Sequence, residues 1–243
     1  MELFASICDR TTALVSANEN WAESGERDGQ YAVDLDVDEV CVAPLLAAGF
    51  DVLSEESGEQ RAMRSRGVVV VDPLDGSTNA TLGLPWFATA LCLVVDGTPT
   101  AAMVTNLATG DRYTAVRDAG ADRNGRPILV APRAGLEDAI IAVNGLPDTH
   151  WGWRQFRAMG AAALDICAVA RGGFDAYVDT TTDSHGVWDY LAAVLIIEEA
   201  GGVAVDAFGR DLTVLDHAAR RTPVVASDRR LLDRVLHART ATL

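Results

Sequence analysis

Residues 68–79 run Val68-Val69-Val70-Val71-Asp72-Pro73-Leu74-Asp75-Gly76-Ser77-Thr78-Asn79, and no other stretch leaves the fold so little choice. The valine run reads as a buried strand, and that strand ends abruptly in two carboxylates. Pro73 biases Asp72 toward an extended backbone, and Gly76 permits a sharp turn after Asp75. Two acids on either side of such a bend can converge, and Leu74 between them can offer its carbonyl oxygen. Oxygen ligands of this kind suit magnesium. Ser77 then opens a helix whose free N–H groups and positive dipole end suit a phosphate. The competing reading is a strand, a turn and a helix cap, since aspartate, proline and glycine are ordinary turn formers.

Around this segment the pattern changes character once. Leu3, Ile7, Thr11, Leu14, Asn18 and Trp21 fall at helical spacing and predict a helix over the first 24 residues. A polar loop, Glu23 to Gln30, follows. Asp34 caps a second helix through Val37, Val40, Cys41 and Leu45. Short apolar strands come next, at Asp51 to Ser54, Gly67 to Val71, Trp86 to Asp96, Thr100 to Thr105 and Arg112 to Val116. Asp96-Gly97 and Asn124-Gly125 read as hairpin turns, so an antiparallel sheet is expected. After Pro132 strands and helices alternate: strands at Ala139 to Val143, Phe174 to Val178, Val203 to Val205 and Pro223 to Ala226, helices near Ala161 to Arg171, Trp188 to Ala200 and from Asp228. The expected division is an N-terminal α+β half, residues 1–140, carrying most candidate metal ligands, and a C-terminal α/β half, residues 141–243.

Charge narrows the partners. Twenty basic against 35 acidic side chains give a net charge of -15, which repels phosphate backbones and argues against nucleic acid or an anionic membrane surface. A protein this acidic needs cations to handle phosphate. Every basic residue is arginine, so a Walker-A loop and lysine Schiff-base chemistry are excluded. No two glycines are spaced as GxG, and GxSxG and HExxH are absent. The four cysteines, Cys8, Cys41, Cys92 and Cys167, are too scattered for a local redox pair or zinc cluster and are expected to be reduced core residues. With no signal-like or membrane-spanning run, a soluble cytoplasmic protein is expected.

Two further acidic segments carry weaker local signals. Leu53-Ser54-Glu55-Glu56-Ser57-Gly58 places paired glutamates at a strand end, where the ordinary reading is a solvated loop. Val187-Trp188-Asp189-Tyr190 opens an apolar helix closed by Gly201-Gly202, and Asp189 is explained locally by the helix dipole. Asp183-Ser184-His185 sets triad residue types side by side, but triads assemble from distant segments, so a polar loop is expected. Trp151 and Trp153 are expected to be packing residues.

Together the three acidic segments resemble the inositol monophosphatase family of magnesium-dependent, lithium-sensitive sugar phosphatases. Asp72 to Asn79 looks like that family's DPxDGTxN motif, with serine for threonine. Trp188-Asp189, Ala192-Ala193 and Glu199-Ala200-Gly201-Gly202 look like its WDxAAxxxIxxEAGG motif, and the Glu55 segment is similar to GEES. The resemblance implies an α+β fold, an αβαβα layered sandwich of two halves, in a homodimer. It implies two or three Mg²⁺ per active site, one ion on Glu55, Asp72 and the Leu74 carbonyl, another on Asp72, Asp75 and Asp189. Ser77 and Asp34 (or Asp36 nearby) become the water-activating pair, Glu55 a catalytic ligand, and the N–H groups of Gly76 and Ser77 the phosphate cradle. Gly160, Ala161, Ala162 and either Asp179 or Asp183 fall on the substrate side. The implied reaction is hydrolysis of a small sugar or cyclitol phosphate monoester, inositol monophosphate first. Fructose 1,6-bisphosphate, histidinol phosphate and 3′(2′),5′-bisphosphate nucleotides share the same metal core, and a non-enzymatic metal-binding regulatory protein is the alternative of another class.

Overall fold

The computed structural model describes residues 1–25, 30–131 and 135–240. Its strands are β1 Asp51–Ser54, β2 Gly58–Gln60, β3 Val68–Asp75, β4 Ala88–Val95, β5 Thr98–Asn106, β6 Arg112–Val116, β7 Gly120–Arg123, β8 Arg126–Pro127, β9 Ile140–Asn144, β10 Gln155–Arg157, β11 Ala176–Asp179, β12 Val203–Asp206 and β13 Pro223–Ala226. The helices are α1 Glu2–Ala17, α2 Ala32–Ala47, α3 Ser77–Thr81, α4 Ala162–Ala170, α5 Val187–Glu199 and α6 Arg229–Thr240. One sheet is ordered β2-β1-β3-β4-β5-β6-β7-β8, the other β10-β9-β11-β13-β12.

The valine run shows why the layers stack as they do. Along a strand successive side chains point to opposite faces. Val69 and Val71 pack with Ile7, Val37 and Cys41 of α1 and α2. Val70 points the other way, into a cluster holding Leu191, Leu195 and Ile196 of α5. Both faces of the first sheet are therefore covered, which is what a run without polar alternation requires. Helix α5 is apolar around its whole circumference and touches β3, β4, β5, β6, β12 and α4, the pattern of a helix enclosed on all sides. Each of its fully buried leucines and isoleucines contributes roughly 1.5–3 kcal/mol. The second sheet closes the far side of this layer, and its outer face packs Val143, Val178 and Val224 against Leu231, Leu232 and Val235 of α6. The result is the expected αβαβα sandwich.

Both hairpin turns form, with Asp96 and Asn124 in the left-handed region (φ 50° and 54°) ahead of Gly97 and Gly125. All four cysteines are buried and free, and Trp153 packs into the outer core beside Trp151. Three local expectations change. Helix α1 stops at Ala17 because Asn18 turns extended (ψ 124°) and exchanges hydrogen bonds with Asn20, leaving Trp21 outside. Helix α2 starts at Ala32, so Asp34 lies inside its first turn and accepts the Tyr31 N–H at 2.7 Å. The first sheet is not wholly antiparallel: β1 runs parallel to β3, Ser54 opposite Val71. Part of the loop from Glu23 to Gln30 lies outside the described residues.

Candidate active site

That parallel pairing builds the first half of the site. With Ser54 beside Val71, the next residue on each strand is Glu55 and Asp72, and Glu55 N–H donates to the Val71 carbonyl at 3.1 Å. Ser54 Oγ donates to Asp38, tying the end of β1 to α2. Asp72 and Asp75 pose a parity problem, since residues three apart on a regular strand face opposite ways. The β3–β4 register shifts between them: Asp72 lies opposite Ala90 and Asp75 opposite Ala88. One extra residue on β3 forms a bulge, and the bulge returns both carboxylates to one face. Pro73, which has no N–H for a ladder, sits where the ladder is interrupted. Leu74 N–H turns back onto Asp72 Oδ1 at 3.1 Å.

The second half comes from the middle layer. Asp189 lies in the first turn of α5, where Oδ2 accepts the Gly186 N–H at 2.7 Å. Besides standing at the positive end of the helix dipole, the residue thus caps the helix, and it also faces the strand acids. Oxygens of Glu55, Asp72 and Asp189 lie within 4.8 Å of one another. Asp75 reaches the start of α4 instead, accepting the Ala163 N–H at 2.8 Å.

Such crowding has an electrostatic cost. Burial, then the charges of Glu55, Asp75 and Asp189, push the Asp72 carboxyl well above the usual carboxylate range. Burial, then Asp189, lift Asp75 to about 7, against the Ala163 N–H. Burial also raises Asp189. Asp72 Oδ2 is buried without a hydrogen-bond partner. A divalent cation with a preference for oxygen would satisfy that atom and neutralise its neighbours.

Gly76 adopts φ 82° and caps the short helix α3. Among the described residues the N–H groups of Gly76 and Ser77 have no protein acceptor. Asn79 Nδ2 donates to the carbonyls of Trp86 (2.8 Å) and Met159 (2.7 Å), drawing the loop before α4 over this turn. A side chain at Gly76 would press on Ala161, whose own methyl is buried there. Gly160, Ala161 and Ala162 are therefore brought against the Asp75–Ser77 turn, Gly160 with φ 81°.

The two acids expected on the substrate side part company. Asp179 is fully buried, and its oxygens accept from Asn144 Nδ2 (3.1 Å), Thr181 N–H (2.9 Å) and Ser184 Oγ (2.7 Å). Asp183 is exposed and pairs with Arg210 at 2.6 Å. The expected polar loop at residues 183–185 is in part a buried network. His185 lies 3.2 Å from Asp179 and 2.7 Å from Ser184 through Nδ1, and 2.8 Å from Tyr177 through Nε2. Burial alone would lower this imidazole, but the Asp179 hydrogen bond and the Asp189 charge outweigh it, so it titrates above the ordinary histidine value. The sequence concealed this because Asp179, the carboxylate that pulls the histidine inward, lies on the preceding strand. His217 was missed as well: its Nε2 lies 3.1 Å from the Glu55 carbonyl, 162 positions away.

The sequence signature described as the Inositol monophosphatase family matches residues 7–242. An inositol-1-monophosphatase of Rhizobium meliloti is 36% identical over 175 residues, 66% of this chain and 64% of that protein, so the aligned stretch spans just under two thirds of that relative. A fructose-1,6-bisphosphatase/inositol-1-monophosphatase of Thermococcus kodakarensis is 32% identical over 225 residues, 91% of this chain and 87% of the relative. The solved structure of the extragenic suppressor protein suhB from Bartonella henselae superposes with a TM-score of 0.85 at 26% identity, covering 100% of this chain and 99% of that one.

Proposed function

The chain belongs to the inositol monophosphatase family, and we propose that it is a Mg²⁺-dependent phosphatase acting on a small, hydroxyl-rich phosphate monoester, inositol monophosphate first. The observation that carries the reading is the partnerless, buried Asp72 Oδ2 among converging carboxylates. Glu55, Asp72, Asp189, Asp75 and the Leu74 carbonyl would hold the metal, with Asp72 shared where two or three ions bind. When bound, Mg²⁺ supplies a Lewis acid and lowers the pKa of coordinated water.

The chain's own groups do the rest. The N–H groups of Gly76 and Ser77 hold the phosphate oxygens, and the dipole of the turn favours that charge. The Ser77 hydroxyl, with Asp34, orients the attacking water in line with the leaving oxygen. Asp75 is kept in place by the Ala163 N–H, and Ala161 closes the cradle without adding a hydroxyl. Asp183, the exposed acid of the pair, accepts a substrate hydroxyl and would repel a second phosphate. Lithium sensitivity and a homodimer belong to the same proposal. The alternative of another class is a non-enzymatic metal-binding regulatory protein, but the convergence of Glu55, Asp72 and Asp189 favours catalysis.

The test is phosphate release with Mg²⁺ across inositol phosphates, fructose 1,6-bisphosphate, histidinol phosphate and 3′-phosphoadenosine 5′-phosphate, with Asp72→Asn as control. Turnover of a polyol monophosphate, lost in the variant, is expected. No release from any of them, or release that survives Asp72→Asn, would overturn the reading.

A further inference from the structure

Between β12 and β13 the chain makes a long excursion, residues 207–222, that the proposed chemistry does not use. Its return is pinned to the approach to α5. Arg221 and His185 exchange backbone hydrogen bonds, Arg221 N–H to the His185 carbonyl at 2.9 Å and His185 N–H to the Arg221 carbonyl at 3.2 Å. Trp188, one residue before Asp189, receives two groups from this excursion. The His217 ring lies 4.7 Å from it, centre to centre, tilted by 31°, and the Arg220 guanidinium lies 5.2 Å from its centroid. Arg220 Nη1 also donates to the His217 carbonyl at 2.8 Å, so the two residues brace each other. Gly186 makes room, since a side chain there would overlap the Trp188 ring.

The same histidine then crosses to the other half of the site. Its Nε2 is 3.1 Å from the carbonyl oxygen of Glu55. A carbonyl oxygen only accepts, so Nε2 carries the proton and donates. The Glu55 peptide is thereby held on both sides, by the Val71 carbonyl at its N–H and by His217 at its carbonyl. Glu55 follows the last residue of β1 in the first sheet, and Asp189 lies in the first turn of α5 in the middle layer. His217 touches the backbone of one and the ring next to the other.

We propose that His217 is a positioning residue that sets Glu55 against Asp189 and so pre-forms the cation site, with Trp188 and Arg220 fixing the imidazole. The inference rests on the metal reading above. Groups that orient a ligand typically change metal affinity by about 10–100-fold when removed. Two substitutions separate the donor from the ring. His217→Phe keeps a ring for Trp188 but cannot donate, whereas His217→Gln keeps an N–H donor and loses the ring.

Binding of Mn²⁺, an oxygen-preferring ion visible by EPR, to the substrate-free protein is the readout, with melting in EDTA to compare folded stability. His217→Phe should raise the Mn²⁺ dissociation constant about tenfold, while His217→Gln stays within about threefold of wild type, and both should melt near wild type without metal. His217→Leu, which also lacks the donor, provides the same comparison if the phenylalanine variant does not fold. Wild-type affinity in a donor-less variant, or equal loss in His217→Gln and His217→Phe, would overturn the positioning role alone. Absence of Mn²⁺ binding by the wild type would overturn the metal reading and this inference with it.

Discussion

Asp75→Asn should make the metal-free protein more stable while costing it cation binding. The amide keeps an oxygen to accept the Ala163 N–H that Asp75 accepts at 2.8 Å, so the change removes charge and little else. In the wild type, burial and then the Asp189 charge raise the Asp75 carboxyl from 3.8 to about 7. Between those values the folded state holds a proton that the unfolded chain releases, so this group's contribution to stability falls as pH rises through the window. A gap of roughly three units at about 1.4 kcal/mol each makes the ionised carboxylate destabilising by at most about 4 kcal/mol above pH 7. About 2–3 kcal/mol of that is lost between pH 5 and pH 8. At about 2–4 °C per kcal/mol for a chain of this size, the variant should melt several degrees above wild type in EDTA at pH 8, and the gap should narrow toward pH 5. Added Mg²⁺ at pH 8 should raise the wild-type melting temperature more than the variant's, which keeps Glu55, Asp72 and Asp189 but loses one ligand. Circular dichroism melts across that range are the assay. A variant that melts at or below wild type at pH 8, or a gap independent of pH, would refute the argument that these acids repel one another until a cation joins them.

Ser77→Ala leaves the backbone N–H groups of the turn in place, so kcat should fall by about 10²–10⁴-fold with KM nearly unchanged; a loss of only a few-fold in steady-state kinetics would reduce Ser77 to a helix residue. Lithium should inhibit by competing at the carboxylates around Asp75 and Asp189, and inhibition that Mg²⁺ concentration does not modulate would place its action elsewhere. Asp183→Asn should raise KM for the best polyol phosphate with little change in melting temperature. Asp179→Asn should chiefly lower the melting temperature, because that carboxylate already accepts three hydrogen bonds from Asn144, Thr181 and Ser184; a pure KM effect from Asp179→Asn would reverse the two assignments.

Local chemistry was legible where it depends on adjacent residues. The valine run, the Asp96-Gly97 and Asn124-Gly125 turns and the apolar helix behind Asp189 each carry their instruction within a few positions. The short strands β2, β7, β8 and β10 carry none, since each holds at most one apolar side chain and exists through what it pairs with. The same limit applies to the site. Convergence of Glu55, Asp72 and Asp189 was implied by resemblance, whereas the parallel register that places Glu55 beside Asp72 reverses the antiparallel expectation for that sheet. Asp179 and His185 show what residue type leaves out: an acid that resemblance offered for the substrate side and a histidine read as loop are buried together, 3.2 Å apart. His217 had no signal to find, because its partner is 162 positions away and the bond is to a backbone carbonyl that every residue possesses.

The bulge after Asp72 makes the site depend on counting rather than on composition. A chain lengthened by one residue in β4, between Ala88 and Ala90, would keep both aspartates and the valine run, and it could close the β3–β4 ladder three residues against three, without a bulge. Its two acids would then point into different layers, Asp72 and Asp75 divided by the thickness of the sheet. By helix content, size or the presence of its signature residues, such a chain would pass for its parent. In this architecture a sequence can thus retain every letter of its metal-binding vocabulary and lose the meaning through an error of spacing alone.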